Sequence, residues 1–187
     1  MENPFKQALC KVTTFLETQK IQYAVIGGIA NQIWGQARFT YDIDIKALVP
    51  DSDYKRFRKT LTKAFPEPGR PDLPMNPLIV SVKVGEIIVD FLLSTPGYEE
   101  QLVKRAIRYK FEDLSLWICT AEDLIIQKAI AGRSKDWQDI EGIVIEQNTK
   151  LDQDYLEDWL KQFAEVLDNP DILKHYRNIQ QRVMNLK

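Results

Sequence analysis

The segment from Tyr23 to Leu48 constrains the fold more than any other part of the chain. Tyr23-Ala-Val-Ile26 is a short apolar run that reads as a buried strand, and it stops at Gly27-Gly28. Ile29 to Gln36 follows as a helix, and Tyr41 to Leu48 as a second strand with Asp42 and Asp44 set among apolar residues. Residues i and i+2 of a strand share a face, so the two acids project together while Ile43 and Ile45 can face the core. Two carboxylates held this close repel unless a positive charge lies between them. Hard divalent cations such as Mg²⁺ meet that need and commonly carry phosphates with them. A strand that turns through two glycines straight into a helix presents backbone N–H groups at a helix N-terminus. That is a ready anion site, and glycine lets a phosphate come close. Alone, a Gly-Gly pair is usually a turn and an Asp-x-Asp pair is often a solvated strand edge. In this order, on a strand of otherwise apolar residues, they point to a site.

A third acid strengthens the reading. Glu86-Ile-Ile-Val-Asp90-Phe-Leu-Leu embeds Asp90 in an apolar strand. An unpaired buried carboxylate is expensive, so Asp90 calls for a metal or for a cationic partner, either Arg38 or a lysine.

The rest of the chain supplies the frame. An amphipathic helix spans residues 4–19, with Phe5, Leu9, Val12 and Leu16 at helical spacing. A helix from Asp51 to about Phe65 carries Lys55, Arg56, Arg58, Lys59 and Lys63. Five of the nine prolines then fall in Pro66–Pro77, which must be a loop. Leu78–Lys83 and Glu86–Leu93 form a β-hairpin around Val84-Gly85. A helix near Tyr98–Arg108 and a strand near Leu114–Cys119 follow. Thr120-Ala-Glu-Asp123 resembles a capping box with Asp in the place of Glu or Gln, and opens a helix that stops near Gly132. Further helices are expected over Ser134–Glu146, 152–168 and 171–185. The fold class is therefore α/β (α+β), a mixed β-sheet flanked by helices and followed by a helical C-terminal region. The expected division is an α/β core over residues 1–120 and a helical region over 121–187 packed on it.

Composition narrows the function classes. The chain has 187 residues, 44% hydrophobic and 28% charged, an ordinary globular balance. One histidine and two distant cysteines, Cys10 and Cys119, speak against a zinc site. A net charge of -2 speaks against wholesale coating of nucleic acid and leaves room for local basic patches. Lys55–Lys63 is one candidate, and Lys104, Arg105, Arg108 and Lys110 form another; solvated helix faces explain both equally well. The N-terminus lacks the pattern of a signal peptide, and no stretch approaches the roughly 20 apolar residues that cross a bilayer. A cytoplasmic protein with no membrane partner is expected.

With these residues in hand, Gly27-Gly28, an intervening helix, Asp42-Ile-Asp44 and a later Asp90 resemble the nucleotidyltransferase superfamily of polymerase β-like enzymes. The finer pattern Arg38-x-Thr40-x-Asp42-Ile43-Asp44 is similar to the minimal bacterial branch that includes the AbiEii-type toxins. So is the downstream block Asp123-Leu-x-x-x-Lys128-x-x-Ala131-x-Arg133-x-Lys135-Asp136-x-x-Asp139. The resemblance covers about residues 20–145. It implies a nucleotidyltransferase fold and two Mg²⁺ ions, with Mn²⁺ as a substitute, held by Asp42, Asp44 and Asp90. Asp90 would also help deprotonate the attacking hydroxyl. Gly27 and Gly28 would cradle the terminal phosphates and Lys128 would neutralise phosphate charge. Arg38, Thr40, Lys135, Asp136 and Asp139 would complete the nucleotide-binding set. Many superfamily members carry Gly-Ser where this chain has Gly27-Gly28, so one hydroxyl contact to phosphate is missing. A plainer reading makes the downstream block a run of helix-surface ion pairs.

The implied activity is Mg²⁺-dependent transfer of a nucleoside monophosphate from an NTP (ATP, GTP or CTP) to a hydroxyl. The acceptor would be an RNA such as tRNA, or a protein, and the chain could be the toxin of a toxin–antitoxin system with a cognate antitoxin as partner. The alternatives are a small-molecule nucleotidyltransferase of the antibiotic-modifying type and a non-catalytic interaction module that keeps the fold.

Overall fold

The computed structural model describes residues 3–71, 76–111 and 113–185. Helix α1, Pro4–Thr18, starts on Asn3, whose side chain accepts a 3.0 Å hydrogen bond from the Phe5 N–H, and Pro4 occupies the first turn. Its apolar stripe, Leu9, Val12 and Leu16, is fully buried. Strand β1, Gln22–Ile26, runs straight into α2, Gly27–Trp34, which begins at the first glycine rather than two residues later. Strand β2 is Asp42–Leu48, and a short 3₁₀ turn at Asp51–Asp53 leads into α3, Tyr54–Ala64. The hairpin consists of β3, Ile79–Val84, and β4, Ile87–Leu93, and is followed by α4, Tyr98–Arg105.

Here the structure corrects one expectation. The helix expected to reach Arg108 stops at Arg105, and Ile107–Phe111 forms strand β5, antiparallel to β6, Leu114–Ile118. Ile107-Arg-Tyr-Lys-Phe alternates apolar and basic residues, the period of a strand rather than of a helix. Its charges suit an edge, and the Arg108 guanidinium lies 5.3 Å from the centre of the Trp117 ring on β6. Four helices complete the chain: α5, Ala121–Ala131; α6, Ser134–Gln147; α7, Gln153–Val166; and α8, Asp171–Asn185.

The strands form one six-stranded mixed sheet in the order β3-β4-β2-β1-β6-β5. The β2–β4 and β1–β6 pairs are parallel and the other three are antiparallel. The fold is the expected mixed sheet with flanking helices.

Two compact units are distinct. The first, residues 1–29 and 39–119, contains the whole sheet with α1, α3 and α4. Val25, Ile43, Ile45, Val89, Phe91 and Leu102 are fully buried in it. The second, residues 30–38 and 120–187, contains α5 to α8 and the end of α2 with the segment after it. Ile125, Ile140, Leu156, Leu160 and Tyr176 are fully buried there. Close approach of the post-α2 segment to α6 requires Gly35, where a Cβ would lie 2.9 Å from the Ile143 side chain. Gln147 secures the same segment by donating a 2.8 Å hydrogen bond to the Trp34 carbonyl.

Candidate active site

Register brings the acids of the first unit together. Asp44 of β2 stands opposite Ile26 of β1 on one side and Asp90 of β4 on the other. Partners in adjacent strands share a face, so Asp90 joins the face that Asp42 and Asp44 already occupy. One carboxylate oxygen from each of the three lies within 4.8 Å of the other two. Ligand distances of about 2.0–2.6 Å to Mg²⁺ or Ca²⁺ put ligand oxygens up to about 4–5 Å apart, so the spacing suits a hard divalent cation. Asp90 is 9% exposed, and its Oδ1 is buried with no hydrogen-bond partner among the described residues. A buried carboxylate oxygen left without a donor is costly, and a metal ligand position is one way to satisfy it. The residues therefore fit the metal.

Glycine geometry supports the same face. Gly27 has φ +63°, and a Cβ there would overlap Asp44 Oδ2 and lie 2.9 Å from Asp44 Cγ. At Gly28 a Cβ would lie 2.6 Å from the Thr40 Cβ. The Thr40 hydroxyl in turn donates to Asp42 Oδ1 at 3.2 Å. Both glycines are thus required by the side chains that crowd the acids, quite apart from any phosphate.

A residue that the sequence reading missed sits in the middle of the trio. Arg70 donates from Nε to Asp90 Oδ2 at 2.8 Å and from Nη2 to Asp42 Oδ2 at 2.7 Å. Asp90 therefore does have a cationic partner, but it is neither Arg38 nor a lysine. The hydrogen bond it donates to Asp90 is the main reason that the Arg70 guanidinium holds its proton even more tightly than usual; burial works the other way. Arg70 belongs to the proline-rich loop, which is stitched to the outer edge of β3. Lys83 N–H donates to the Glu67 carbonyl at 2.7 Å, Gly69 N–H donates to the Ser81 carbonyl at 3.2 Å, and Pro68 bridges Val82. Only glycine fits at position 69, since a Cβ would lie 2.5 Å from Ser81 Oγ and 2.6 Å from the Val82 carbonyl oxygen.

The downstream block lies in the second unit and is mostly internal. Lys128 is 6% exposed and donates to Asp139 Oδ2 at 2.6 Å. Asp139 also takes a bidentate pair from Arg38, with Nε and Nη2 each 2.9 Å from a carboxylate oxygen. Burial raises the Asp139 pKa, but the Arg38 and Lys128 hydrogen bonds outweigh it and hold the carboxyl below its ordinary value. Asp136, 1% exposed, accepts from the Arg133 backbone N–H at 3.3 Å and from its guanidinium at 2.6 Å, capping α6. Its Oδ1 is 3.9 Å from Lys128. Asp123 is fully buried, accepting from Thr120 Oγ1 at 2.9 Å and from the Tyr155 hydroxyl at 2.8 Å. The surface ion-pair reading therefore fails for Lys128, Asp136 and Asp139. Lys135 alone among the proposed binding residues of this block is exposed and stands outside the cluster.

The two basic patches are partly committed elsewhere. Lys55, Arg56, Lys59 and Lys63 are exposed on α3, but Arg58 donates to the carbonyls of Asn76, Pro77 and Ile79. Lys104 pairs with Glu100 and Arg108 with Glu17.

A mixed sheet that gathers three carboxylates beside a strand–Gly-Gly–helix turn matches the arrangement expected of a nucleotidyltransferase. Residues 6–185 match the family described as nucleotidyltransferase of unknown function (DUF6036), and the chain belongs to that family. Several solved structures are similar in fold. An antigenic nucleotidyltransferase-like protein from Paracoccidioides brasiliensis is 17% identical with a TM-score of 0.54, over 93% of this chain and 91% of that one. The solution structure of the antibiotic-resistance factor ANT(2'')-Ia is 12% identical with a TM-score of 0.60, over 95% of this chain and 99% of that one. The crystal structure of ANT(2")-Ia with adenylyl-2"-tobramycin, also 12% identical, has a TM-score of 0.54 over 85% and 96%. No curated protein matches the chain. Among the described residues no helix is long and apolar enough to cross a membrane.

Proposed function

We propose that the chain moves a nucleoside monophosphate from an NTP to a hydroxyl of an RNA acceptor, with Asp42, Asp44 and Asp90 as metal ligands. The observation that carries this reading is the convergence of the three acids on adjoining strands, one of them with a buried, unpartnered oxygen. The acceptor oxygen attacks the α-phosphorus, the bond to the bridging oxygen breaks and pyrophosphate leaves. Asp90, the most enclosed of the three, takes the hydroxyl proton. Bound Mg²⁺, two ions by the resemblance, would supply charge neutralisation at the attacking and leaving oxygens. Asp42 and Asp44 orient that charge, and the turn at Gly27-Gly28 offers N–H groups to the terminal phosphates. Within the second unit the resemblance assigns Lys128 and Lys135 to nucleotide phosphate; Lys135 is exposed, whereas the Lys128 ammonium is buried against Asp139 and Asp136. Thr40 serves by holding Asp42. The division into a catalytic core at 1–120 and a helical region at 121–187 belongs to the same proposal, as does kinship with the AbiEii-type toxins and an antitoxin partner.

Charge favours RNA over a cationic drug. A cavity of about 800 Å³ borders Arg70, and its lining adds a second guanidinium, that of Arg58, a pairing that suits phosphate. Small-molecule transfer remains the second reading, because the likeness to ANT(2'')-Ia extends over 95% of the chain. The deciding experiment incubates the protein with each labelled NTP, Mg²⁺ and either total tRNA or an aminoglycoside panel. Label on tRNA, lost in Asp44→Ala, is the expected result. Label on an aminoglycoside alone would hand the case to the second reading, and no transfer to any acceptor would leave a binding module.

A further inference from the structure

We propose that Arg70 is the resident counter-ion of the carboxylate trio, holding Asp42 and Asp90 together without metal and giving way as the metal enters. The inference rests on the metal reading above. Asp42 and Asp90 come from different strands, β2 and β4, and one guanidinium ties them with hydrogen bonds of 2.7 and 2.8 Å. The planar fork of arginine suits two acceptors at once, which a lysine ammonium does not match. Three carboxylates gathered within 4.8 Å would otherwise repel. A guanidinium cancels one of their three charges, so a divalent ion is the stronger neutraliser. It also repels Arg70, and the two compete for Asp42 Oδ2 and Asp90 Oδ2.

Anchoring and freedom are divided between backbone and side chain. The Glu67–Gly69 backbone is bonded to β3, so the backbone leading into Arg70 is anchored. The Arg70 side chain is 37% exposed and borders the cavity of about 800 Å³. It can therefore swing aside without unfolding anything. Asp90 Oδ1 and Asp42 Oδ1 are left to themselves by Arg70, one unpartnered and the other bonded to Thr40. Asp42 is 35% exposed, so its Oδ1 gives an incoming ion a first foothold before the guanidinium leaves, and the buried Asp90 Oδ1 completes the site afterwards.

The measurable consequence is a masked affinity. A latch closed nine-tenths of the time weakens apparent metal binding about tenfold. Mn²⁺ titration followed by electron paramagnetic resonance, on the full chain as wild type, R70Q, R70K and D90N, reads this directly. R70Q is expected to bind Mn²⁺ roughly tenfold tighter and to melt lower without metal, recovering when Mn²⁺ is added. R70K, which cannot fork, is expected to bind tighter than wild type and serves alone if R70Q does not fold. Unchanged or weaker Mn²⁺ binding in the folded variants, with wild-type binding lost in D90N, would overturn the counter-ion role and leave the metal site standing. If neither wild type nor R70Q binds Mn²⁺, or if D90N binds it as well as wild type, the metal reading falls and this inference with it.

Discussion

Asp44 is hemmed in from two sides, by the like-charged Asp90 on the adjacent strand and by the turn at Gly27, whose left-handed backbone leaves no room for a Cβ. Two opposite outcomes follow for substitutions in this one contact. Asp44→Ala removes a charge from a crowded trio, so the fold should keep its stability within about 1 kcal/mol while nucleotide transfer is lost. Thermal melting beside the labelled transfer assay checks it; full transfer would remove Asp44 from the metal site. Gly27→Ala leaves every charge in place but imposes a side chain at positive φ and displaces the Asp44 carboxylate. A loss of about 2–3 kcal/mol in urea denaturation is expected, from backbone strain plus displacement. The acids themselves were legible in the sequence, because strand alternation puts Asp42 and Asp44 on one face whatever their neighbours. Arg70 was not. It lies in a proline-rich loop with no periodicity, and only the cross-loop bonds to β3 bring it to the acids.

Between elements, the α5–α6 pair hides its charges. Lys128 and Asp139 are 11 residues apart in sequence and meet at 2.6 Å once the two helices pair. Spacing along the sequence opens a helix at Thr120 that carries Lys128, yet nothing in it shows that the next helix supplies the counter-charge. Breaking such a pair strands a buried cation. Asp139→Asn is expected to cost about 3 kcal/mol of stability, measured by urea denaturation, whereas a change below about 0.5 kcal/mol would mark the cluster as solvated. Strand β5 was missed for a different reason. The helical pattern of Tyr98–Arg105 runs directly into Ile107-Arg-Tyr-Lys-Phe, and a one-residue break at Ala106 gave no turn signal strong enough to end it. The alternation was present in the sequence and was overruled by the helix before it.

Among the described residues, a half-buried carboxyl of the first unit, Glu99, and a buried one of the second, Asp139, titrate below their ordinary range. In the first unit burial alone would raise the Glu99 pKa, but the buried Lys46 ammonium and the Thr95 N–H and hydroxyl more than offset it. In the second unit Asp139 is held down by Arg38 and Lys128. A folded-state pKa below the unfolded value of about 4 means stability that is complete above it and is lost as pH falls through the lowered value. Urea midpoints measured from pH 7 to pH 3 should be level at first and decline below about pH 4. Asp139→Asn should flatten part of that decline, and an unchanged profile in the mutant would reject the assignment. The fold class was legible because the helices carry a period of 3.6 and the strands read either as alternation, as in Ile79–Val84, or as short apolar runs, as in Tyr23–Ile26. The pairing that gives these carboxyls their acidity was not, since Lys46 and Glu99 are separated by 53 residues.

The crowding of Gly28 against Thr40 restricts how this sequence can drift. A serine at position 28 cannot be accepted while a threonine stands at 40, because the new Cβ would meet the old one at 2.6 Å. Every residue but glycine keeps a Cβ at position 40, so a side chain at 28 needs the backbone of one of the two segments to shift, and a shift at 40 would disturb the hydroxyl that donates to Asp42.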